Sequence, residues 1–150
     1  MYKSLIMPVL LYGAEAWTLS KSDEHALGVF ERKILRKIYG PYSDNGEWRI
    51  RWNHELYEIY GDVDIARRIK IQRLRWLGHI ARMDESEPAR KVFDSNPSGG
   101  SRRRGRPNLR WTDQVHQDVS TLGIRNWRQA AKHREQWRRV LAEAKTCTRL

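Results

Sequence analysis

The fold is decided by residues 62–83, DVDIARRIKIQRLRWLGHIARM, the longest stretch with a helical repeat of apolar side chains. Ile71 and Leu74 fall on the side opposite to the main apolar stripe, so we expect this helix to be covered on two faces. Asp62 is expected to cap its first turn. The main stripe recurs at the spacing of one helix face and consists of Ile65, Ile69, Trp76, Ile80 and Met83.

On the N-terminal side, a second helix is predicted between Ser20 and Tyr39. Ser20 followed by Asp23 forms a capping box, and Gly40-Pro41 ends the helix. Residues 3–17 favour a helix kinked at Pro8, or a helix followed by an extended piece. The predicted apolar stripe of the second helix is Leu27, Phe30, Ile34 and Ile38.

Between these helices, residues 41–51 are polar and predicted to be irregular, and a short helix follows. Asn53 is its expected N-cap, Trp52 is placed to pack on Tyr57 as a hydrophobic staple, and Gly61 ends it. After the long helix, a brief helical turn is expected at residues 87–93.

On the C-terminal side, residues 94–108 are rich in Gly, Pro, Ser and Arg, which predicts a flexible basic linker. A helix capped by Thr112 and a last helix capped by Asn126 follow. Because no useful strand pattern appears, the predicted fold is all-α, an irregular bundle of roughly five to seven helices. The predicted segments are a helical segment 1–41, a second helical segment 42–93, the linker 94–108 and a basic helical pair 109–150.

The charge of the chain favours a polyanionic partner. Lys and Arg number 29 against 18 Asp and Glu, a formal charge of +11. Residues 94–150 carry 13 basic and 5 acidic side chains, or +8 of that total. An excess of this size points to nucleic acid, and we expect a nuclear protein with no membrane partner.

The linker centre, Arg-Arg-Arg-Gly-Arg-Pro at residues 102–107, is the sharpest binding feature. An Arg-Gly-Arg-Pro core can lie in a narrow A·T-rich minor groove, as an AT-hook does. A solvated basic hinge or a nuclear-localisation signal is an alternative interpretation. The candidate phosphate-binding residues here are Arg102, Arg103, Arg104, Arg106 and Arg110.

Arginine rows on two helices are further candidates. On the long helix, Arg68, Arg75 and Arg82 recur every seven residues and form a row along one edge. On the last helix, Arg128, Lys132 and Arg139 form a similar row.

Tryptophan often stands beside arginine in this sequence and can stack on unpaired bases. A buried position on the apolar helix side is favoured for Trp76, Trp127 and Trp137. The better stacking candidates, Trp48 and Trp111, lie in less regular stretches.

Catalytic and metal-binding patterns are missing from the sequence. The five His are not spaced as zinc ligands, and Cys147 is the single cysteine. Glu31-Arg32-Lys33 matches a nuclease fragment but is predicted in mid-helix, and His79 is expected to make a structural hydrogen bond. We therefore expect no catalytic residue, no metal and no cofactor in this chain.

Six motifs occur in this order: VLLYGAEAWTL (9–19), FERKILR (30–36), RLRWLGHIARM (73–83), RGRP (104–107), RWTD (110–113) and the segment from Asn126-Trp127 to Trp137-Arg138. Together they resemble the C-terminal part of reverse transcriptases from non-LTR (LINE-type) retrotransposons that carry an endonuclease, and the resemblance covers nearly all 150 residues. It implies that residues 1–41 are a thumb-like segment, that residues 42–93 are a post-thumb segment, and that the thumb and the C-terminal extension grip template RNA, an RNA–DNA duplex or target DNA. It also implies that the catalytic palm, with its Tyr-x-Asp-Asp motif, lies upstream of Met1.

Two hypotheses follow. The first is a nucleic-acid-binding polymerase fragment without catalytic activity, whose partners include the missing palm. The second is a helical protein-interaction module derived from a retrotransposon. If the N-terminal segment packs on a palm, the side chains expected to be uncovered here are Leu5, Ile6, Val9 and Leu10.

Overall fold

The computed structural model describes residues 1–95, 109–147 and 150, and helices dominate this part of the chain. The predicted all-α class is therefore confirmed. The helices are α1 Met7–Leu10, α2 Lys21–Tyr39, α3 Asn53–Tyr60, α4 Ile65–Ala81, α5 Pro88–Asp94, α6 Trp111–Thr121, α7 Trp127–Lys132 and α8 Arg134–Thr146. A π-helical turn, Tyr2–Ile6, precedes α1, a 3-10 turn spans Ala14–Ala16, and β1 Tyr42–Asp44 and β2 Glu47–Arg49 form a hairpin.

The chain divides into two compact units. The first comprises Met1–Ala14 and Leu19–Ile69, and the second comprises Glu15–Thr18 and Lys70–Leu150. Helix α4 therefore contributes its first turn to one unit and the remaining turns to the other. The four segments predicted from the sequence stay a prediction. Within the described residues, no helix is long and apolar enough to cross a membrane.

The first unit is built around α2, whose ends follow the prediction. Ser20 Oγ accepts the Asp23 N–H at 3.2 Å, and the Asp23 carboxylate accepts the Ser20 N–H at 2.8 Å. Gly40 ends the helix with φ of 69°. The predicted apolar stripe is wrong in part, because Phe30 and Ile38 are 44% and 40% exposed.

The buried side of α2 instead carries Glu31 and Leu35. The Glu31 carboxylate can occupy a core position because three donors satisfy it. They are the hydroxyls of Tyr2 and Tyr57, at 3.0 and 2.9 Å, and the Ile65 N–H at 3.0 Å. Around it lie two apolar clusters, formed by Tyr2, Met7, Leu35, Leu56 and Tyr60 and by Ala14, Leu19, Ile65 and Ile69.

The hairpin corrects the prediction of an irregular segment at residues 41–51. β1 pairs antiparallel with β2. Asn45 and Gly46 form the turn with φ of 50° and 91°. Positive φ at both central residues fits the Asn-Gly turn that joins twisted strands.

The capping residues of α3 and α4 differ from the prediction. Trp52, not Asn53, is the N-cap of α3, and its N–H donates to the Glu55 carboxylate at 2.7 Å. Trp52 is 62% exposed, so the staple predicted against Tyr57 is absent. At α4, Asp64 rather than Asp62 accepts from the first turn, through the Arg67 N–H at 3.0 Å.

In the second unit, α6 and α8 each make a buried hydrogen bond with α4. Arg73 is 1% exposed and donates to the Asp118 carboxylate on α6 at 2.6 and 2.9 Å. Trp137 of α8 is 2% exposed, as predicted, and its indole N–H donates to the Leu74 carbonyl at 3.0 Å. A Cβ at Gly78 would overlap that indole, so glycine permits this close packing.

Two predicted helix boundaries in this unit are wrong. The N-cap of α6 is Arg110 rather than Thr112. The predicted last helix is interrupted at His133, which is extended, and continues as α8. The Arg82 guanidinium donates to the Ala131 carbonyl at 2.6 Å. In a continuous helix, that carbonyl would accept a backbone N–H one turn further along the chain.

Candidate nucleic-acid interface

A cleft of about 600 Å³ lies in the second unit between α4 and α8. We call it the arginine cleft, because guanidinium groups from both sides line it. Arg75 and Arg82 come from α4 and the residue that follows it. Arg134 and Arg138 come from α8, and Trp76 and His79 also line the cleft.

Helical spacing brings these side chains together. Residues 75, 79 and 82 are four and three apart and therefore share one face. Arg134 and Arg138 are likewise one turn apart on α8. Because Trp137 is anchored to the Leu74 carbonyl, α8 presents both arginines towards the cleft beside α4.

The electrostatics of the cleft favour an anion. Glu15 is the acidic residue of its described lining. Burial, and then the charge of Arg134, lowers the pKa of the Arg82 guanidinium. Among the described residues, Arg75 and Arg134 have no hydrogen-bond or ion-pair partner. Two cations that make no ion pair with a described residue, on a concave surface, are suited to bind phosphate.

Arg138 is less available than these two but is weakly held. It pairs with Glu135 at 2.7 Å, and both side chains are 74% exposed. An exposed pair of this kind contributes little stability. A phosphate entering the cleft can therefore compete for Arg138.

Trp76 lies at the edge of the cleft and not in the core, which corrects the prediction of a buried position. Its side chain is 36% exposed, because Leu74 and Leu77 take the buried positions of this part of α4. His79 packs on it, with the ring centroids 5.1 Å apart. No hydrogen bond of the His79 ring occurs within the described residues, so the structural hydrogen bond expected there is also absent.

Trp76 also borders a second cavity of about 440 Å³ in the same unit. We call it the apolar groove, because Ile80, Val92, Phe93 and Trp111 line most of it. Trp111 is half-buried there and donates its indole N–H to the Glu15 carbonyl at 2.6 Å. It is therefore held in place, whereas Trp48, the other predicted stacking residue, is 72% exposed on the hairpin of the first unit.

The structure separates the predicted arginine rows. Arg68 belongs to the first unit and pairs with Asp62 at 2.6 Å. Of the three, Arg75 and Arg82 reach the arginine cleft. The second row is divided between two helices, since Lys132 ends α7 and Arg139 lies on α8, and both are exposed.

The remaining predicted residues lie elsewhere. Arg110 is exposed at the start of α6. Arg128 pairs with Asp94 at 3.2 Å and lies over the rings of Phe93 and Trp127, the latter buried as predicted. The linker arginines, Arg102, Arg103, Arg104 and Arg106, lie outside the described residues.

Four residues that line the cleft were not predicted as site residues from the sequence, namely Trp76, His79, Arg134 and Arg138. A signal was present at residues 133–139, HREQWRR, where two arginines one turn apart flank the buried Trp137. Within the described residues, no group of three or more His, Cys, Asp or Glu is placed to hold a metal ion.

The chain is similar to a transposon-derived protein. It is 25% identical over 146 residues to a putative uncharacterized transposon-derived protein of Caenorhabditis elegans, and the match covers 94% of this chain and 52% of that relative. The chain therefore spans about half the length of the relative. No model of a protein family matches the chain, and no solved structure matches it. The similarity supports a transposon origin.

Proposed function

We propose that this chain is the nucleic-acid-binding C-terminal part of a non-LTR retrotransposon reverse transcriptase, and that the arginine cleft is its binding site. The chain carries no catalytic centre, metal or cofactor of its own in this proposal. The order of its motifs and its similarity to a transposon-derived protein support the origin. The proposed place of action is the nucleus.

The observation that carries the proposal is the convergence of four arginines on one concave surface. Arg75 and Arg134 make no ion pair with a described residue, and the ion pair of Arg138 with Glu135 is exposed. Glu15 is the acidic residue in the described lining of the cleft. Because phosphate contacts supply most of the non-specific affinity for nucleic acid, such a surface favours binding of its backbone.

Removing the two unpaired arginines tests the proposal. For the double variant Arg75→Gln/Arg134→Gln, we expect weaker binding to single-stranded RNA and DNA. The dependence of log affinity on log salt should flatten by about 1.4, since each phosphate contact on a single strand contributes about 0.7. Fluorescence anisotropy with labelled oligonucleotides at several salt concentrations measures both quantities.

The control is the variant Lys21→Gln/Lys37→Gln, which removes the same charge from exposed positions on α2. It should keep the wild-type slope. Equal losses in the two variants would attribute binding to net charge alone and would overturn the assignment of the cleft.

A protein-interaction module is the second candidate, and one observation favours it. Of the four side chains expected to be uncovered, Leu5 and Val9 are 63% and 79% exposed, whereas Ile6 and Leu10 are partly buried against the core of the first unit. Tyr12 is also exposed, at 88%. An exposed apolar group of this kind fits a protein surface such as the parent polymerase's palm. Partner binding that is insensitive to salt, and unchanged by the loss of Arg75 and Arg134, would favour this candidate.

A further inference from the structure

Trp76 borders two cavities of opposite character within the second unit. The arginine cleft contains Arg75, Arg134 and Arg138, whereas Val92, Phe93 and Trp111 line the apolar groove. An indole that is 36% exposed at this boundary is not explained by core packing. Its position is therefore one at which an apolar ring and an anion can bind side by side.

The apolar groove has a preformed aromatic wall. Phe93 packs edge-on against Trp111 and Trp127, with the ring centroids 6.0 and 6.1 Å apart. The Trp111 indole N–H is already bonded to the Glu15 carbonyl. Fixed aromatic surfaces bind flat rings at a low entropic cost, because few rotamers are lost.

A nucleotide has these two parts, a flat base and a phosphate. In a duplex, each base is stacked between its neighbours and paired, so its faces are not free to stack on the Trp76 indole. In a single strand, each base is free to stack on an aromatic side chain while basic residues hold the backbone. The pairing of the two cavities therefore favours an unpaired nucleotide.

We propose that the second unit binds single-stranded nucleic acid by stacking one unpaired base on Trp76 in the apolar groove, with the adjoining phosphates in the arginine cleft. This inference rests on the proposed function, since it specifies which nucleic acid the cleft takes. It assigns Trp76 the role of a stacking residue and Arg75, Arg134 and Arg138 that of phosphate contacts.

A comparison of normal and abasic oligonucleotides tests the inference. The two probes are an oligothymidylate and a strand of equal length whose sugars carry no base, so that their phosphates are the same. We expect the wild-type chain to bind the oligothymidylate about fivefold or more tightly, the effect of one stacked base. Trp76→Leu should abolish this preference and leave the affinity for the abasic strand unchanged.

Two further variants serve as controls. Trp76→Phe retains an aromatic ring and should restore part of the preference for bases. Trp48→Leu removes an indole that is 72% exposed in the first unit and should change neither affinity. Circular dichroism melts verify that each variant is folded, and the wild-type comparison remains decisive if Trp76→Leu does not fold.

The outcomes separate this inference from the proposed function. Salt-dependent binding with equal affinities for the two strands would overturn the stacking assignment and leave the phosphate-binding cleft intact. A base preference that persists in Trp76→Leu would overturn the role of Trp76. Failure of both strands to bind would contradict the proposed function itself.

Discussion

The Glu31 carboxylate occupies the position of a core side chain in the first unit. It is fully buried and accepts hydrogen bonds from two tyrosine hydroxyls and the Ile65 N–H. Burial raises the pKa of Glu31 above its ordinary value of 4.5, although these three donors act in the opposite direction. Glu31 thus links the N-terminal turn, α3 and the start of α4 within the first unit. This link requires a carboxyl group that is removed from water.

Because the folded state binds this proton more tightly than the unfolded state, the contribution of Glu31 to stability falls as pH rises above about 4.5. Glu31→Gln keeps an acceptor for the donors and cannot ionise. We therefore expect the stability of the wild type, measured relative to Glu31→Gln, to decrease between pH 4 and pH 7. Urea unfolding at several pH values measures this difference.

Glu58→Gln is the control for the same experiment, since Glu58 is exposed on α3. Its stability relative to the wild type should vary little with pH over that range. A pH-independent difference between the wild type and Glu31→Gln would contradict the assigned pKa shift.

At the scale of elements, local signals were predictable and non-local ones were not. The Ser20–Asp23 capping box and Gly40 identified both ends of α2. The hairpin is a local element that was missed: its strands have three residues each, too few to show alternation, and the Asn45-Gly46 turn signal was not used. The break at His133 was missed because the Arg82 side chain, about fifty residues away, takes the Ala131 carbonyl.

Gly78 determines how closely α8 can approach α4, and its replacement is a direct test of that packing. A Cβ at this position overlaps the Trp137 indole, which is buried and hydrogen-bonded to the Leu74 carbonyl. We expect Gly78→Ala to destabilise the chain by about 1–3 kcal/mol, the usual cost of overpacking a core. Denaturant unfolding gives the value.

Gly28→Ala is the matched control, because Gly28 also lies within a helix. Its added methyl group would meet the guanidinium end of the Arg32 side chain rather than a buried ring. Alanine is a better helix former by about 0.5–1 kcal/mol, so this variant should be neutral or stabilising. Equal effects of the two substitutions would show that Gly78 is not needed for the packing of Trp137.

At the scale of the whole molecule, the net positive charge was predictable from the sequence. The meeting of arginines from α4 and α8 in one cleft was not. The sequence placed Arg75 and Arg82 on one helix face, and both line the cleft. Arg134 and Arg138 join them only because Trp137 packs on Leu74, a contact that spans 63 positions in the chain. Helical spacing cannot predict a contact between distant helices, so the predicted arginine rows did not include Arg134 and Arg138.

We predict that the linker arginines supply a second group of phosphate contacts, in addition to those of the arginine cleft. If about five phosphates on duplex DNA are neutralised, log affinity should fall with log salt at a slope near −4 to −5. Replacing Arg102, Arg103, Arg104 and Arg106 by Ala should remove half or more of that slope. The base preference that depends on Trp76 should persist, because the arginine cleft and the apolar groove are unchanged in that variant. Titration of the wild type and the quadruple variant with labelled duplex and oligothymidylate measures both effects. If the wild type and the quadruple variant bind duplex with equal affinities and equal slopes, the linker is not part of the binding site. The salt-dependent binding would then be assigned to the arginine cleft alone.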